Sequence, residues 1–135
     1  MLQDRVILVV GGSTGIGRAT AIACGQAGAI VVVGARDHAK AEEVATEAAS
    51  AGAARTLALP VDVRSSDEVD AFVSKATDTF GRLDGAVNNA GIEGRMAPMH
   101  DLTDADYAEI MDVNARGVFF AMRAEIAAMG AAGGA

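Results

Sequence analysis

The chain alternates short apolar runs with segments of helical periodicity. Val6–Val10 is a continuous apolar run that ends in glycines, which is typical of a strand buried on both faces. Similar runs over Ile30–Val33, Thr56–Val61 and Leu83–Val87 predict three further strands. Four strands that alternate with helices predict β-α-β units, a parallel sheet and right-handed crossovers.

Capping residues and glycines mark the limits of the predicted helices. The first helix is expected to run from about Gly15 to Ala27, where Gly28 can end it. Asp37 is placed to cap a second helix that ends near Ser50. The remaining helix signals are a capping-box spacing at Ser65 and Glu68, another start at Thr103 and Asp106, and a helical stretch over about Val113–Met129.

The whole chain, residues 1–135, has the length and pattern of a single domain. No internal repeat or linker interrupts it. The glycine and alanine content of residues 130–135 predicts a flexible tail.

Composition excludes several classes of function. The chain is 51% apolar and carries a net charge of −7 without any basic run, so nucleic acid and anionic membranes are poor candidate partners. No secretory or membrane-spanning segment is evident, and the single Cys24 agrees with a reducing compartment, so cytoplasmic localisation is expected. His38 and His100 are too far apart to give metal-ligand spacing, and we predict no metal site.

A glycine-rich turn follows the first strand and opens the first helix. Glycines allow the backbone to turn tightly and to approach a pyrophosphate, and free N–H groups at a helix N-terminus favour its negative charge. The turn could also be a structural connection that binds nothing. The residues expected to bind a dinucleotide here are Gly11, Ser13, Thr14, Gly15, Ile16 and Gly17.

The spacing of Gly11, Gly15 and Gly17 is G-x-x-x-G-x-G, which resembles the short-chain dehydrogenase/reductase (SDR) family. That family usually has Thr before the first glycine, where this chain has Val10. The segment Asn88–Gly91 matches the N-N-A-G motif of the family. The resemblance implies a Rossmann-like, doubly wound parallel sheet in three α/β/α layers, with an NAD(P) cofactor at the carboxyl ends of the strands.

The resemblance also implies roles for individual residues. Asn89, Ala90 and Gly91 would line the cofactor ribose, and Asn88 would help to fix the central sheet. Asp62 would meet the adenine amino group with Val63 beside it, unless it is only an exposed loop carboxylate. The backbone carbonyl of Asn114 would hold a water that links a catalytic Lys to solvent; in isolation, Asn114 could instead be a helix N-cap.

The residues after the second strand bear on the choice of cofactor. An acidic residue there would bind the ribose 2′-OH of NAD, whereas an Arg would pair with the 2′-phosphate of NADP. Ala35 stands at the position of the NAD-selecting acid, and Arg36 follows it. We therefore favour NADP over NAD and interpret Asp37 as a helix cap, although a shift of this loop by one residue would reverse the preference.

The Ser and the Tyr-x-x-x-Lys pair that the family uses for proton transfer do not appear. The one tyrosine, Tyr107, precedes Asn114 and is followed four residues later by Met111. The resemblance thus covers the N-terminal portion of a family member that moves hydride between NADP(H) and a carbonyl or alcohol substrate. We expect this chain to be inactive alone; the alternative is an inactive dinucleotide-binding or regulatory module.

The first four strands of this fold would lie in the order 3-2-1-4. Strand 4 would then be an unprotected edge, and we expect the chain to be marginally stable or to form homo-oligomers. A mostly helical spacing connects four apolar residues that could belong either to the core or to a subunit interface: Val118, Met122, Ile126 and Met129.

Overall fold

Four parallel strands form the centre of the computed structural model, which describes residues 1–131. They are β1 (Val6–Val10), β2 (Ile30–Ala35), β3 (Arg55–Pro60) and β4 (Gly85–Asn88). Their order in the sheet is β3-β2-β1-β4, as the resemblance implied. The four predicted strands are confirmed, with ends that differ by one or two residues.

The register of the strands brings their carboxyl ends to one edge of the sheet. Val10 at the end of β1 pairs with Gly34 of β2 on one side and with Asn88 of β4 on the other. The glycine turn, Arg36 and Asn89 follow directly after these three strand ends. Residues that lie far apart in the sequence therefore meet at this edge.

Helices cover both faces of the sheet, which confirms the three-layer arrangement. The helices α1 (Gly15–Gln26) and α2 (His38–Ala51) pack against one face, and α3 (Ser66–Phe80) and α5 (Gly117–Ala131) against the other. Side chains of β1 alternate between the two cores: Ile7 and Val9 join the first, and Val6, Leu8 and Val10 join the second. All five are buried, as expected for a central parallel strand.

The start of β4 is held by Asp84, which explains why the strand begins later than the apolar run at Leu83. The Asp84 carboxylate accepts a hydrogen bond from the Val6 N–H at 2.9 Å and pairs with Arg5 and Arg82. Burial alone would raise the pKa of Asp84, but these hydrogen bonds outweigh it and lower the pKa to about 2. The Asp84 carboxylate thus accepts the hydrogen bond from Val6 at the point where the backbone pairing of β4 with β1 would otherwise begin.

The helix starts predicted at Ser65 and Thr103 differ in the structure. Thr103 and Asp106 form the complete reciprocal box at the start of α4 (Asp104–Met111). At α3, the Ser65 hydroxyl accepts a hydrogen bond from the Glu68 N–H, but the Glu68 carboxylate accepts one from the Asp62 N–H at 2.9 Å instead of returning to Ser65. Only half of that box forms, because Glu68 stabilises the preceding loop.

The predicted helix over Val113–Met129 is also different. A single π turn, Asp112–Arg116, joins α4 directly to α5. Helix α5 continues through Gly130 and Ala131, so these two residues are not part of a flexible tail; residues 132–135 lie outside the described part of the chain. Among residues 1–131, each helix is too short or too polar to span a lipid bilayer.

Candidate functional site

A cleft of about 180 Å³ opens at the carboxyl edge of the sheet. Nine of the twelve predicted cofactor residues line it, together with Val10, Ala35, Val61, Ile92 and Val113. The nine are Gly11, Ser13, Thr14, Arg36, Asp62, Val63, Asn89, Ala90 and Gly91. A second cavity of about 460 Å³ shares Ser13, Thr14 and Arg36 with the first, so the two form one elongated groove.

Backbone hydrogen bonds fix the glycine turn between two strands. The N–H groups of Gly11 and Gly12 both donate to the Gly34 carbonyl, at 2.8 and 3.1 Å. On the other side, Asn89 Nδ2 donates to the Gly11 carbonyl at 3.2 Å. The turn is therefore held by the end of β2 and by the segment that follows β4.

Two positions in the turn have no room for a side chain. Gly11 has a φ of +79°, and a Cβ there would lie 2.5 Å from the Ala90 nitrogen. A Cβ on Gly17 would lie 2.1 Å from the Gly11 carbonyl oxygen. These backbones can approach one another only because both residues are glycine.

Helix α1 begins directly after Ser13 and Thr14, which line the cleft. Thr14 precedes the helix in an extended conformation, and its side chain does not cap the first turn. Gly15, Ile16 and Gly17 form that turn rather than the wall of the cleft. Their N–H groups and the positive end of the helix dipole are suited to an anionic group.

The second cavity is lined by two cations and one acid, which are Arg36, Lys40 and Asp37. Arg36 follows β2 directly, and Lys40 lies in the first turn of α2. Asp37 caps α2 by accepting a hydrogen bond from the Lys40 N–H at 3.1 Å, as the sequence predicted, and its carboxylate lies 3.8 Å from Lys40 Nζ. The acid beside Arg36 is thus already engaged by its own helix.

Asp62 and Val63 follow β3, the strand beside β2, and line the first cleft together with Arg36. Arg64 donates to the Asp62 carboxylate from Nε at 3.0 Å and from Nη2 at 2.6 Å. The Arg64 hydrogen bonds lower the pKa of the Asp62 carboxyl, while partial burial opposes this shift. Asp62 is therefore an ionised acceptor on the wall of the cleft, beside the buried Val63 side chain.

Asn114 lies in the π turn, and its side chain forms a reciprocal pair with the backbone of Ile92. Its Oδ1 accepts from the Ile92 N–H at 2.8 Å, and its Nδ2 donates to the Ile92 carbonyl at 2.7 Å. The alternative that Asn114 is a helix N-cap is wrong, because helical residues precede it. The Asn114 side chain thus holds the backbone that follows Gly91 in place at the wall of the cleft.

Sequence reasoning missed the partner of Asn88. Asn88 Nδ2 donates to the Glu125 carboxylate at 2.8 Å, and Glu125 is only 3% exposed. Burial raises the pKa of Glu125, while the Asn88 hydrogen bond opposes the shift. A helical signal was present, because Gly117, Ala121 and Glu125 follow one another at intervals of four residues and form the buried face of α5.

Tyr107 lies on α4 with its side chain exposed, one turn before Met111. Residues 1–131 bring together no group of three or more His, Cys, Asp or Glu side chains that could hold a metal ion. The groove at this edge of the sheet, with Arg36 and Lys40 in its lining and the N-terminus of α1 beside it, is suited to an elongated anionic ligand.

Comparison with known proteins identifies the family. The family model for short chain dehydrogenase matches residues 5–135, almost the whole chain. The chain belongs to the short-chain dehydrogenase family. A levodione reductase from Leifsonia aquatica is 38% identical to it over 120 residues, which are 88% of this chain and 45% of the relative.

Solved structures of the family share its fold. The crystal structure of levodione reductase aligns over 99% of this chain and 52% of its own length, with a TM-score of 0.94 and 33% identity. An alcohol dehydrogenase from the archaeon Thermococcus sibiricus, complexed with 5-hydroxy-NADP, has a TM-score of 0.89 at 29% identity and covers 98% of this chain and 56% of its own. An NADH-dependent reductase complexed with NAD has a TM-score of 0.86 at 29% identity, with 94% and 52% covered. The chain thus spans about half the length of these relatives.

Proposed function

We propose that this chain forms the nucleotide-binding portion of a short-chain oxidoreductase and binds NADP(H) in preference to NAD(H). The observation that carries the preference is the position of Arg36 in the groove, with Asp37 turned to the cap of α2. A guanidinium can form two charge-assisted hydrogen bonds to a 2′-phosphate. The relatives include complexes with an NADP derivative and with NAD, so the family alone does not decide the cofactor.

The remaining cofactor contacts follow the shape of the groove. The turn from Gly11 to Gly17, with the N-terminus of α1, would hold the pyrophosphate. Asn89, Ala90 and Gly91 would line the ribose, and Asp62 and Val63 would contact the adenine. These assignments are supported by the contacts that gather the segments around one cleft.

In the whole protein, we propose hydride transfer between the nicotinamide and a small carbonyl or alcohol substrate. The relatives are reductases and dehydrogenases, which supports this reaction class. Asn114 would contribute through its backbone carbonyl, which would hold a water on the path from a catalytic Lys to solvent. Because the 135 residues contain no Tyr-x-x-x-Lys pair, the protein-side proton donor is not assigned within this chain.

An inactive dinucleotide-binding or regulatory module is the second candidate; it would keep the groove and the glycine turn but would carry out no hydride transfer. The two candidates differ in the turnover of the whole protein, because residues 1–135 alone are expected to be inactive under either candidate. Incubation of the whole protein with NADPH and a panel of ketones and aldehydes should give no consumption of NADPH if it is such a module. Reduction of any substrate would exclude it.

The cofactor assignment is tested by calorimetric titration with NADPH and NADH. The unmodified chain should bind NADPH about 10-fold or more tightly than NADH, because a charged hydrogen-bonding pair contributes roughly 1.5–3 kcal/mol. R36Q should lose that preference by weakening NADPH alone. R55Q is the matched control, since Arg55 is exposed and lies over Phe80, away from the groove. Tighter binding of NADH by the unmodified chain would contradict the assignment.

We also propose that the chain forms homo-oligomers through α5. Phe119, Met122 and Ile126 lie along one stripe of this helix and are 59%, 48% and 62% exposed. Val118 and Met129 are partly buried, so the predicted set divides between the inside and the surface. Exposed apolar side chains at helical spacing favour contact with another apolar surface.

Cytoplasmic localisation stays a prediction from the sequence. Cys24 is a free, partly buried thiol in α1. Burial raises its pKa, which favours an unreactive packing role over a redox role.

A further inference from the structure

Arg64 engages both oxygens of the Asp62 carboxylate. Oδ1 accepts from the Arg64 backbone N–H and from Nε, each at 3.0 Å. Oδ2 accepts from Nη2 at 2.6 Å and from Nε at 3.1 Å. Three N–H groups of Arg64 make these four contacts, because the Nε–H is shared between both oxygens, so about one of the roughly four lone-pair sites of the carboxylate remains free.

The backbone on either side of this pair is also fixed. The Asp62 N–H donates to the Glu68 carboxylate at 2.9 Å, and the Asp62 carbonyl accepts from the Ser65 N–H at 3.0 Å. The Arg64 side chain is 46% exposed, while that of Asp62 is 22% exposed and lines the cleft. A solvent-accessible ion pair between residues two positions apart adds little to the stability of the fold. The main effect of this pair is therefore to fix the orientation of the Asp62 carboxylate at the cleft.

We propose that Arg64 is a positioning residue that orients the Asp62 carboxylate toward the base of the bound nucleotide and thereby selects adenine over hypoxanthine. This inference rests on the proposed function, since it needs a purine nucleotide in the cleft. The 6-amino group of adenine donates a hydrogen bond to a carboxylate, whereas the 6-oxo group of hypoxanthine is an acceptor and is repelled by it. Without the Arg64 side chain, the Asp62 carboxylate keeps only the hydrogen bond from the backbone N–H of residue 64, so it is less constrained and discriminates less.

The experiment compares NADPH with its hypoxanthine analogue, deamino-NADPH, by calorimetric titration of the full chain. The unmodified chain should favour NADPH about 10-fold, and D62A should remove the preference. R64Q should reduce the preference to about threefold or less, mainly by weakening the binding of NADPH. The preference of R64K should lie between those of R64Q and the unmodified chain, because an ammonium cannot make the bidentate contact. Thermal unfolding of each variant shows that it is folded.

The chain offers a matched control at the other end of the sheet. Arg82 pairs with Asp84 at the same spacing of two residues, with Nε 2.8 Å from the carboxylate, and has a similarly exposed side chain. R82Q should keep the base preference of the unmodified chain.

The outcomes separate the two proposals. An R64Q variant that keeps the base preference, or that binds NADPH more tightly because Arg64 had masked Asp62, overturns the role of Arg64 while the proposed function stands. If the unmodified chain binds neither nucleotide, the proposed function fails, and the role of Arg64 fails with it.

Discussion

Glu125 has a buried carboxyl with a single hydrogen-bond partner among the described residues, Asn88. Its second oxygen and the Asn88 amide oxygen have no partner in residues 1–131. An unsatisfied buried polar atom costs roughly 1–3 kcal/mol, and a buried charge costs more. Burial with one partner therefore disfavours the charged form of Glu125 relative to the same group in water, and this raises its pKa.

Stability should depend on pH through this residue. Because the folded pKa of Glu125 lies above its ordinary value of 4.5, the folded chain binds this proton more tightly than the unfolded chain. The free energy of unfolding therefore falls as the pH rises from about 4.5 through the folded pKa, and the loss is complete above it. In E125Q the side chain stays neutral and can still accept from Asn88, so this loss should be absent.

Urea unfolding of the unmodified chain and of E125Q, at several values between about pH 5 and about pH 8, checks this prediction. The difference in the free energy of unfolding between the two should grow in favour of E125Q with rising pH. E109Q is the control, because Glu109 is exposed on α4. Parallel stability curves for E125Q and the unmodified chain would show that Glu125 has an ordinary pKa.

At the scale of elements, the glycine turn connects β1, the N-terminus of α1 and the segment after β4 through backbone contacts. Its glycines could be recognised from the sequence because the spacing between a buried strand and a helix start is a local pattern. The G-x-x-x-G-x-G spacing places glycines at Gly11 and Gly17, where the two backbones lie too close together for a side chain.

G17A is expected to disrupt this turn. Its Cβ would lie 2.1 Å from the Gly11 carbonyl oxygen, so backbone must move. Overpacking against backbone costs about 1–3 kcal/mol, and the shifted turn should bind NADPH at least about tenfold more weakly. Urea unfolding and calorimetry measure the two effects.

Gly130 provides the comparison for G17A. A Cβ there meets no atom within 4 Å, so G130A should change the stability by less than about 1 kcal/mol and leave NADPH binding unchanged. If G17A behaved like G130A, the turn would not be as tightly packed as the structure indicates.

Local sequence patterns predicted the helix caps but not the contacts between elements. The caps Asp37 and Ser65 were predicted because each bonds to an N–H three residues away. The π turn Asp112–Arg116 was not predicted, since it depends on how α4 and α5 pack around the cleft. The bond from Asp62 to Glu68 was missed for a similar reason: a capping-box carboxylate had a competing backbone donor six residues away.

At the scale of the whole molecule, the strand order and most of the cleft followed from family motifs, whereas side-chain partners did not. Arg64 and Glu125 carry no motif, and their importance lies in which neighbour the fold brings to them. The described residues leave the outer edge of β4 without a neighbouring strand, as expected from the predicted order.

The exposed stripe of α5 predicts self-association. Sedimentation velocity of the unmodified chain should show a species larger than the monomer, and I126E should shift it to the monomer by placing a charge in the contact. A127E introduces the same charge at the next exposed position on α5, outside the stripe, and should keep the larger species. A monomeric unmodified chain, or equal effects of the two variants, would contradict the proposed interface.

The contact between Asn89 and Gly11 has a consequence for the order of folding. Asn89 and Gly11 lie 78 positions apart in the sequence, as do Val6 and Asp84. The glycine turn is therefore completed only when β1 and β4, the first and last strands of the described sheet in sequence order, have paired. Closing such a long loop is slower than forming local helices. In a refolding experiment, nucleotide binding should therefore appear after helix formation, and its appearance would report that β1 and β4 have paired.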